Sequence, residues 1–257
     1  MKTRDLAEYL GKAYPNSVAE EWDNCGLLVG SLEGETTHIV LALDMTEETL
    51  SFAKEVGGDF ILTHHPMIFK GIKTVTDQTV TGRRILSLIR EGINYYAMHT
   101  NYDILGMAKR SGERMHLCDE VPLTLETEEE GFGRVGDLVP PRTLGEYAKE
   151  VKEAFGLGDL RVYGDLDRMI SRAAICTGSG KSFLPQVYAQ GADVYVTGDI
   201  DHHTALDAMA EGLCILDAGH YGTEYIFMED MEKELSAFLP SDVKLSKCPV
   251  HFPYTLV

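Results

Sequence analysis

The chain has 257 residues, 44% of them hydrophobic and 25% charged, which is typical of globular proteins and excludes disordered, collagen-like and coiled-coil chains. This length allows one large domain or two of ordinary size. The 23 basic and 41 acidic residues give a formal net charge of −18. Because binding to nucleic acids or anionic membranes needs clustered Lys and Arg, and no basic run is longer than the pair Lys109-Arg110, we expect neither as a partner.

The cysteines and the N-terminus bear on the compartment. The five cysteines form no CxxC pair, and an odd number cannot all close into intrachain disulfides. The N-terminus leads into an amphipathic stretch, and no apolar run approaches the roughly 18 residues of a membrane span. We therefore expect a cytoplasmic protein in a reducing compartment.

Strand and helix patterns alternate along the first half of the chain. Apolar runs rich in β-branched residues predict strands, and segments of helical period between them predict helices. In chain order the predicted elements are a strand at 39–43, a helix that Thr46 caps and Gly57 ends, a strand at 59–63 followed by His64-His65-Pro66, a helix at 81–90, and a strand at 93–98 followed by His99-Thr100-Asn101-Tyr102-Asp103. This alternation is typical of an α/β protein.

The second half repeats this order. It has predicted strands at 173–176, 193–197 and 214–217, with a helix at 181–189 and helical spacing at 205–209 between them. We therefore predict two related three-layer α/β units from an internal duplication, with mixed sheets flanked by helices and a metal site between the units. Chance resemblance among α/β units is the alternative.

A domain boundary is predicted near the acidic, Gly-rich stretch 126–134. It precedes a capping box formed by Thr143 and Glu146 at the start of another helix. The expected domains are 1–125 and 126–257, with the C-terminal segment allowed to interlock with the first unit.

Polar clusters follow four of the predicted strands, where ligands bind in open α/β sheets. A single surface histidine is usually only solvated, but six of the nine histidines lie in these clusters. They are His64, His65, His99, His202, His203 and His220. The chemistry of the protein is therefore expected at these strand ends.

Five residues are candidate metal ligands. His64 and His65 leave a strand in diverging directions, so they address two metals, or one metal and a substrate, unless both are plain loop residues. Asp103 is either a ligand or the N-cap of the next helix. His220 and Glu224 are four residues apart, which places both on one helix face, although this spacing alone is a weak signal.

Three imidazoles and two carboxylates suit two divalent transition ions about 3.5 to 4 Å apart. These donor types favour Zn, Mn, Fe, Co or Ni over Ca or Mg. Such a pair of ions predicts hydrolysis of an amide, an imidazole or a phosphate ester. The catalytic base is not assigned, and the weak candidates are Asp199, His203 and His99.

Two further motifs have competing interpretations. Gly178-Ser179-Gly180-Lys181 is not a P-loop, because Ile175 occupies the position of the required first glycine. It is either an anion-binding turn or a plain turn. We expect a packing role for Trp22, with Asp23 and Asn24 as polar residues that could face the site. Nothing places a base beside Cys25, so it is not a candidate nucleophile.

Seven motifs occur in one order between Trp22 and Glu224: WDNCGLLVG, LTHHPMIFKG, MHTNYD, GFGRVGDL, TGSGKSF, TGDIDHH and DAGHYGTE. Together they resemble the Nif-three-like family, whose members are commonly named GTP cyclohydrolase 1 type 2 homologues. The resemblance implies an α/β protein with two divalent metal ions, assembled as a toroidal homohexamer with the metals facing an internal cavity. The family's ligands fall on His64, His65, Asp103, His220 and Glu224. One departure is Gly222, where the family has alanine.

The function that this resemblance implies is a dinuclear metal-dependent hydrolase of a small molecule. The family name suggests opening of the guanine imidazole ring of GTP, with release of formate. A net charge of −18 does not favour a triphosphate, so the metals and the turn near Lys181 would have to anchor it. The alternative is a non-enzymatic metal-binding or metal-trafficking assembly protein, and the sequence does not separate the two.

Overall fold

The computed structural model describes residues 1–250 and 252–254. The strands are β1 (Gly26–Val29), β2 (His38–Ala42), β3 (Phe60–Thr63), β4 (Asn94–Ala97), β5 (Cys118–Pro122), β6 (Arg134–Thr143), β7 (Arg161–Tyr163), β8 (Met169–Ile175), β9 (Val194–Thr197), β10 (Cys214–Asp217) and β11 (Lys244–Lys247). The α-helices are α1 (Thr3–Ala13), α2 (Glu47–Val56), α3 (Val80–Glu91), α4 (Thr100–Tyr102), α5 (Ala108–Arg114), α6 (Leu144–Ala154), α7 (Leu184–Ala189), α8 (His202–Ala210), α9 (His220–Glu224) and α10 (Ile226–Phe238). Two 3-10 turns (Asn16–Val18, Lys181–Phe183) and a π-helix (Asp103–Met107) complete the set. Within the described residues, no helix has both the length and the apolar character needed to cross a membrane.

The chain divides into two compact units, residues 1–102 with 227–257, and residues 103–226. This division differs from the expected domains 1–125 and 126–257, whose last residues, 251 and 255–257, lie outside the described part of the chain. The first boundary lies after Tyr102 and not after residue 125. The C-terminal segment, which the expectation allowed to interlock with the first unit, joins that unit because β11 pairs in parallel with β2. The predicted α/β class with mixed sheets is confirmed, since each unit has its own mixed sheet.

The first unit has a five-stranded sheet in the order β1-β4-β3-β2-β11. Its strands β2, β3 and β4 run parallel and are fully buried, and β1 pairs antiparallel with β4. Thr46 caps α2 through a bond from the Thr49 amide, and Gly57 ends that helix in the left-handed conformation. Because β3 and β4 are parallel neighbours, the polar residues that follow them meet at one edge of the sheet.

The second unit has a six-stranded sheet in the order β5-β6-β8-β9-β10-β7. Strands β8, β9 and β10 are parallel, whereas β6 and β7 pair antiparallel with their neighbours. The predicted capping box at the start of α6 is present between Thr143 and Glu146. The carboxyl ends of the three parallel strands therefore lie together and lead into the TGSG, TGDIDHH and AGHYGTE segments.

In each unit, an aspartate just before a buried parallel strand accepts hydrogen bonds from two successive backbone amides. Asp59, before β3, accepts hydrogen bonds from the amides of Thr37 and His38 at 2.8 and 3.2 Å. Asp193, before β9, accepts hydrogen bonds from the amides of Ser171 and Arg172 at 2.8 and 3.1 Å. The likeness agrees with the repeated motif order, and a common origin of the two halves stays a prediction.

Candidate functional site

A cluster of three imidazoles lies at the carboxyl ends of β3 and β4 in the first unit. His64 is fully buried, and its ring centroid is 4.8 Å from that of His65 and 5.3 Å from that of His99. One ring nitrogen of each histidine lies within 4.8 Å of the others, which is close enough for shared metal binding. We call His64, His65 and His99 the first cluster.

Each imidazole of the first cluster is oriented through its Nδ1 atom. The Nδ1 of His64 donates to the Met98 carbonyl at 2.9 Å, and the Nδ1 of His65 lies 2.9 Å from Oδ1 of Asp44. A carbonyl only accepts, so the proton of neutral His64 is on Nδ1 and its Nε2 presents a lone pair. This arrangement is the usual support of metal-binding histidines.

The third imidazole is held by a buried carboxylate. Nδ1 of His99 lies 2.9 Å from Oδ1 of Asp23, whose side chain is 0% exposed. The other Asp23 oxygen accepts hydrogen bonds from the amide and hydroxyl of Thr100 at 2.9 and 2.5 Å. Burial alone would raise the pKa of Asp23, but the hydrogen bonds from His99 and Thr100 outweigh it and hold this pKa well below its usual range.

The WDNC segment differs from the expectation in one respect. A packing role was expected for Trp22, and its ring contacts those of Phe69 and His99, but it is 54% exposed because Asp23 takes the buried position and leaves its neighbour at the surface. The Cys25 thiol donates to Asp23, and burial together with this negative charge raises the pKa of Cys25 to about 12. Such a thiol stays protonated at neutral pH and is a poor nucleophile, as the sequence indicated.

A second cluster lies at the carboxyl ends of β9 and β10 in the second unit, and we define it as His220, Glu224 and Asp199. Helix α9 places Nε2 of His220 3.0 Å from Oε2 of Glu224, as the four-residue spacing predicted. Nδ1 of His220 lies 2.7 Å from Oδ2 of Asp199, which adopts a left-handed backbone with φ 58°. The imidazole is therefore fixed between two carboxylates.

Glycines let the backbone approach this second cluster closely. A Cβ on Gly178 would lie 2.1 Å from Oε1 of Glu224 and 3.4 Å from Nε2 of His220. A Cβ on Gly198 would lie 2.5 Å from the His220 amide nitrogen. Sequence reasoning did not assign these positions, although one signal was available: a glycine follows each of β8, β9 and β10, at 178, 198 and 219.

Asp103 opens the π-helix of the second unit. It follows α4 without a break, so it is not the N-cap of a new helix, and that alternative is excluded. Burial raises the pKa of the Cys176 thiol, and the nearby charges of Asp103 and Glu224 raise it further. Short π-helices occur frequently at functional sites.

The three candidate catalytic residues have different surroundings in the structure. His99 belongs to the first cluster, and Asp199 supports His220 in the second. His203 is exposed in the first turn of α8, where its ring centroid lies 5.3 Å from that of His202. Asp44 and Asp23 were not identified as orienting partners of His65 and His99, because each is distant in sequence from the histidine that it holds.

Two amides of the turn at 178–181 donate to side chains of the protein. The Gly178 amide donates to the Thr223 hydroxyl and the Gly180 amide to the Thr197 hydroxyl, both at 2.9 Å. The Lys181 ammonium pairs with the Asp201 carboxylate. These contacts favour the plain-turn interpretation over an anion-binding loop.

We expect Gly222→Ala to change the free energy of unfolding by less than about 1 kcal/mol, because two effects oppose each other. Alanine favours the helix, but its Cβ would lie 2.4 Å from Cδ2 of Leu157, the movable end of a half-buried side chain. Urea unfolding of Gly222→Ala with and without Leu157→Ala separates the two. In the Leu157→Ala background the alanine should stabilise by about 1 kcal/mol. Equal destabilisation in both backgrounds would refute this explanation.

The donor sets of both clusters fit divalent transition metals. Imidazole nitrogens with buried carboxylates suit Zn, Mn, Fe, Co and Ni, and Glu224 is only 5% exposed. The supporting oxygens of Met98, Asp44 and Asp199 provide the outer contacts that such ligands need.

Comparison with known proteins agrees with the motif order. The family model described as Duf34/NIF3 (NGG1p interacting factor 3) matches residues 1–251. A Clostridium perfringens protein named GTP cyclohydrolase 1 type 2 homolog is 38% identical over 256 residues, covering 95% of each chain. A Schizosaccharomyces pombe protein named Protein NIF3 homolog is 34% identical over 255 residues, covering 91% of this chain and 89% of the other.

Solved structures share the fold. The Staphylococcus aureus hypothetical protein SA1388 superposes with a TM-score of 0.89 at 30% identity, covering 100% of this chain and 99% of the other. Reduced HcgD from Methanocaldococcus jannaschii superposes with a TM-score of 0.84 at 30% identity, covering 97% of this chain and 98% of the other. The similarity therefore extends over the whole length of both units.

Proposed function

The chain belongs to the Duf34/NIF3 family, and we propose that it is a metal-dependent hydrolase of a small molecule. One observation carries the proposal: four imidazoles have Nδ1 within hydrogen-bond distance of a carboxylate or carbonyl oxygen. They are His64, His65, His99 and His220. Metal-binding histidines are oriented in this way, with the other ring nitrogen left for the metal. Solvated surface histidines have no such fixed partner.

The proposed cofactor is a pair of divalent transition-metal ions, drawn from Zn, Mn, Fe, Co and Ni. Both the donor chemistry and the family resemblance support one ligand set: His64, His65, Asp103, His220 and Glu224. When bound, such ions polarise an electrophilic centre and lower the pKa of a water molecule. The same resemblance supports self-association as a toroidal homohexamer.

The residues around the proposed ligands have separate tasks. Asp44 and Asp199 hold the rings of His65 and His220 in place. Of the candidate bases, we propose His99 as the proton acceptor, because Asp23 fixes its ring with Nε2 on the side away from Nδ1, beside the two ligand imidazoles. Asp199 already supports His220, and His203 is exposed.

The substrate proposal starts from the printed names of the relatives. Several are named GTP cyclohydrolase 1 type 2 homolog, which brings a guanine nucleotide to this chain as a candidate substrate. The turn at 178–181 offers the nucleotide little support, since the Gly178 and Gly180 amides and the Lys181 side chain already have protein partners. We therefore propose that the protein recognises the guanine ring, and that the metals both bind the phosphates and carry out the reaction.

Metal loading and turnover test the proposal together. We expect the wild-type chain to bind two ions, and the forms loaded with Mn, Fe, Zn or Ni to include one that turns over GTP, another nucleotide or a phosphoester. His65→Ala and Glu224→Gln should each weaken metal affinity at least about tenfold and abolish turnover. Isothermal titration calorimetry and elemental analysis measure the metal, and product analysis measures turnover.

The control variant is His202→Ala, which removes an exposed histidine outside both clusters. It should bind metal as the wild type does. Equal metal content in all variants would refute the ligand set. Metal binding without turnover in any metal form would refute the hydrolase and support the metal-trafficking alternative, which transfer of metal to a client protein would test further.

A further inference from the structure

Two large aromatic side chains stand at the surface beside the first cluster. Trp22 is 54% exposed and Phe69 is 46% exposed, and their ring centroids are 5.4 Å apart with planes tilted by 37°. The His99 ring meets both edge-on, at 5.9 Å from Trp22 and 5.8 Å from Phe69. We call Trp22 and Phe69, with the edge of His99, the aromatic platform.

The platform is held by hydrogen bonds from below. Asp23 is buried and binds His99 and Thr100, which fixes the residue after Trp22. The Asn24 side-chain amide donates to the Ile68 carbonyl at 2.6 Å, which ties the same loop to the residue before Phe69. Both rings therefore sit on backbone that is anchored to the end of β4, and their exposure is not the result of a loose loop.

Isolated exposed hydrophobic residues are common and need no explanation, but this pair is different. The two rings touch each other, are pre-positioned, and flank an imidazole that is 5.3 and 5.7 Å from the rings of His64 and His65. Two ring faces are too small for a stable protein interface, which buries roughly 800 Å² per partner. They do match the area of one small ring system.

We propose that the aromatic platform is a stacking subsite for a planar aromatic or heteroaromatic ring, such as a nucleobase. Indole and phenyl faces stack on any base, because every base has a π-face. A ring on the platform lies beside His99 and next to His64 and His65, so its edge faces the proposed metal ligands. In its link to the metals the inference rests on the proposed function, and it makes Trp22 and Phe69 the residues that select for a ring.

The test uses Trp22 itself, because it is the only tryptophan in the chain. Its fluorescence reports directly on stacking. We expect guanosine and adenosine to quench this fluorescence saturably. Ribose 5-phosphate and inorganic triphosphate have no aromatic ring to stack and should leave it unchanged. Phe69→Ala should raise the dissociation constant for guanosine about ten- to hundredfold, and Phe69→Tyr should restore it.

Leu125→Ala is the matched control, because it removes another exposed large hydrophobic side chain, from the second unit. It should bind guanosine as the wild type does. The inference would be overturned if neither nucleoside quenched Trp22 fluorescence, or if Phe69→Ala left the dissociation constant for guanosine unchanged. Metal content is measured on the same samples. Metal binding and turnover without quenching refute the platform alone, whereas quenching without metal binding supports the platform and refutes the proposed function.

Discussion

Gly178→Ala is expected to disrupt the second cluster, although Gly178 carries no functional group. The new Cβ would lie 2.1 Å from Oε1 and 3.0 Å from Cδ of Glu224, so the buried carboxylate must move. We expect metal affinity to fall about a hundredfold, because a displaced ligand loses its place beside His220. The free energy of unfolding should fall by about 2–4 kcal/mol, from overpacking and from the left-handed backbone at φ 65°.

Gly191→Ala separates the clash from the backbone strain. Gly191 has nearly the same φ, 67°, but nothing lies within 4 Å of its would-be Cβ. This control should lose only about 1 kcal/mol and keep its metal affinity. Calorimetric metal titration and urea unfolding of the two variants measure the difference. If both variants bind metal equally well, Glu224 does not depend on the glycine at 178.

The local parts of the fold were predictable because their signals are local. Thr46 and Thr143 cap helices, because their hydroxyls accept hydrogen bonds from the amides three residues later. Gly57 ends a helix in the left-handed conformation, which suits glycine. The buried strands β3, β9 and β10 are short apolar runs bounded by such signals. The same alternation places polar segments at strand ends, and so the histidines could be identified as candidates without a structure.

Long-range pairings could not be predicted in the same way. Strand β11 joins β2 across about two hundred residues, and its sequence, KLSK, has no strong strand signal. Its structure depends on the partner edge and not on local propensity. The expected domains allowed the C-terminal segment to interlock with the first unit, but no local signal indicated which strand it would join.

The supporting carboxylates of the site were missed for a related reason. Asp44 follows one strand and holds a histidine that follows the next, and Asp23 lies 76 positions before His99. No periodicity links such residues, because the sheet brings them together. Burial of Asp23 also explains the exposed Trp22, since the carboxylate with its several donors takes the inward position and leaves the indole at the surface.

Replacing this carboxylate in Asp23→Asn is expected to destabilise the protein by about 3 kcal/mol at pH 7. The side-chain amide of the variant keeps one acceptor oxygen. Its NH₂ group replaces the other oxygen and would face groups that donate to Asp23 in the wild type, either the His99 ring or the amide and hydroxyl of Thr100. Urea unfolding in the presence of a chelator measures the loss without a contribution from metal. The Asp23→Asn substitution should also loosen the His99 ring and the aromatic platform, so guanosine should quench the Trp22 fluorescence of this variant more weakly.

The pH dependence of this loss has a definite sign. The pKa of Asp23 is lowered in the folded protein from an ordinary value of 3.8. The charged carboxylate therefore contributes its full stabilisation above about pH 5, and the contribution is lost as the pH falls below 4 towards the folded-state pKa. The difference in stability between wild type and Asp23→Asn should be constant from pH 8 to 5 and shrink below pH 4. Asp59→Asn is the matched control, because Asp59 also accepts hydrogen bonds from a backbone amide but does so at an exposed position. It should lose less stability and leave Trp22 quenching unchanged, and a loss as large as that of Asp23→Asn would show that burial of the carboxylate is not the cause.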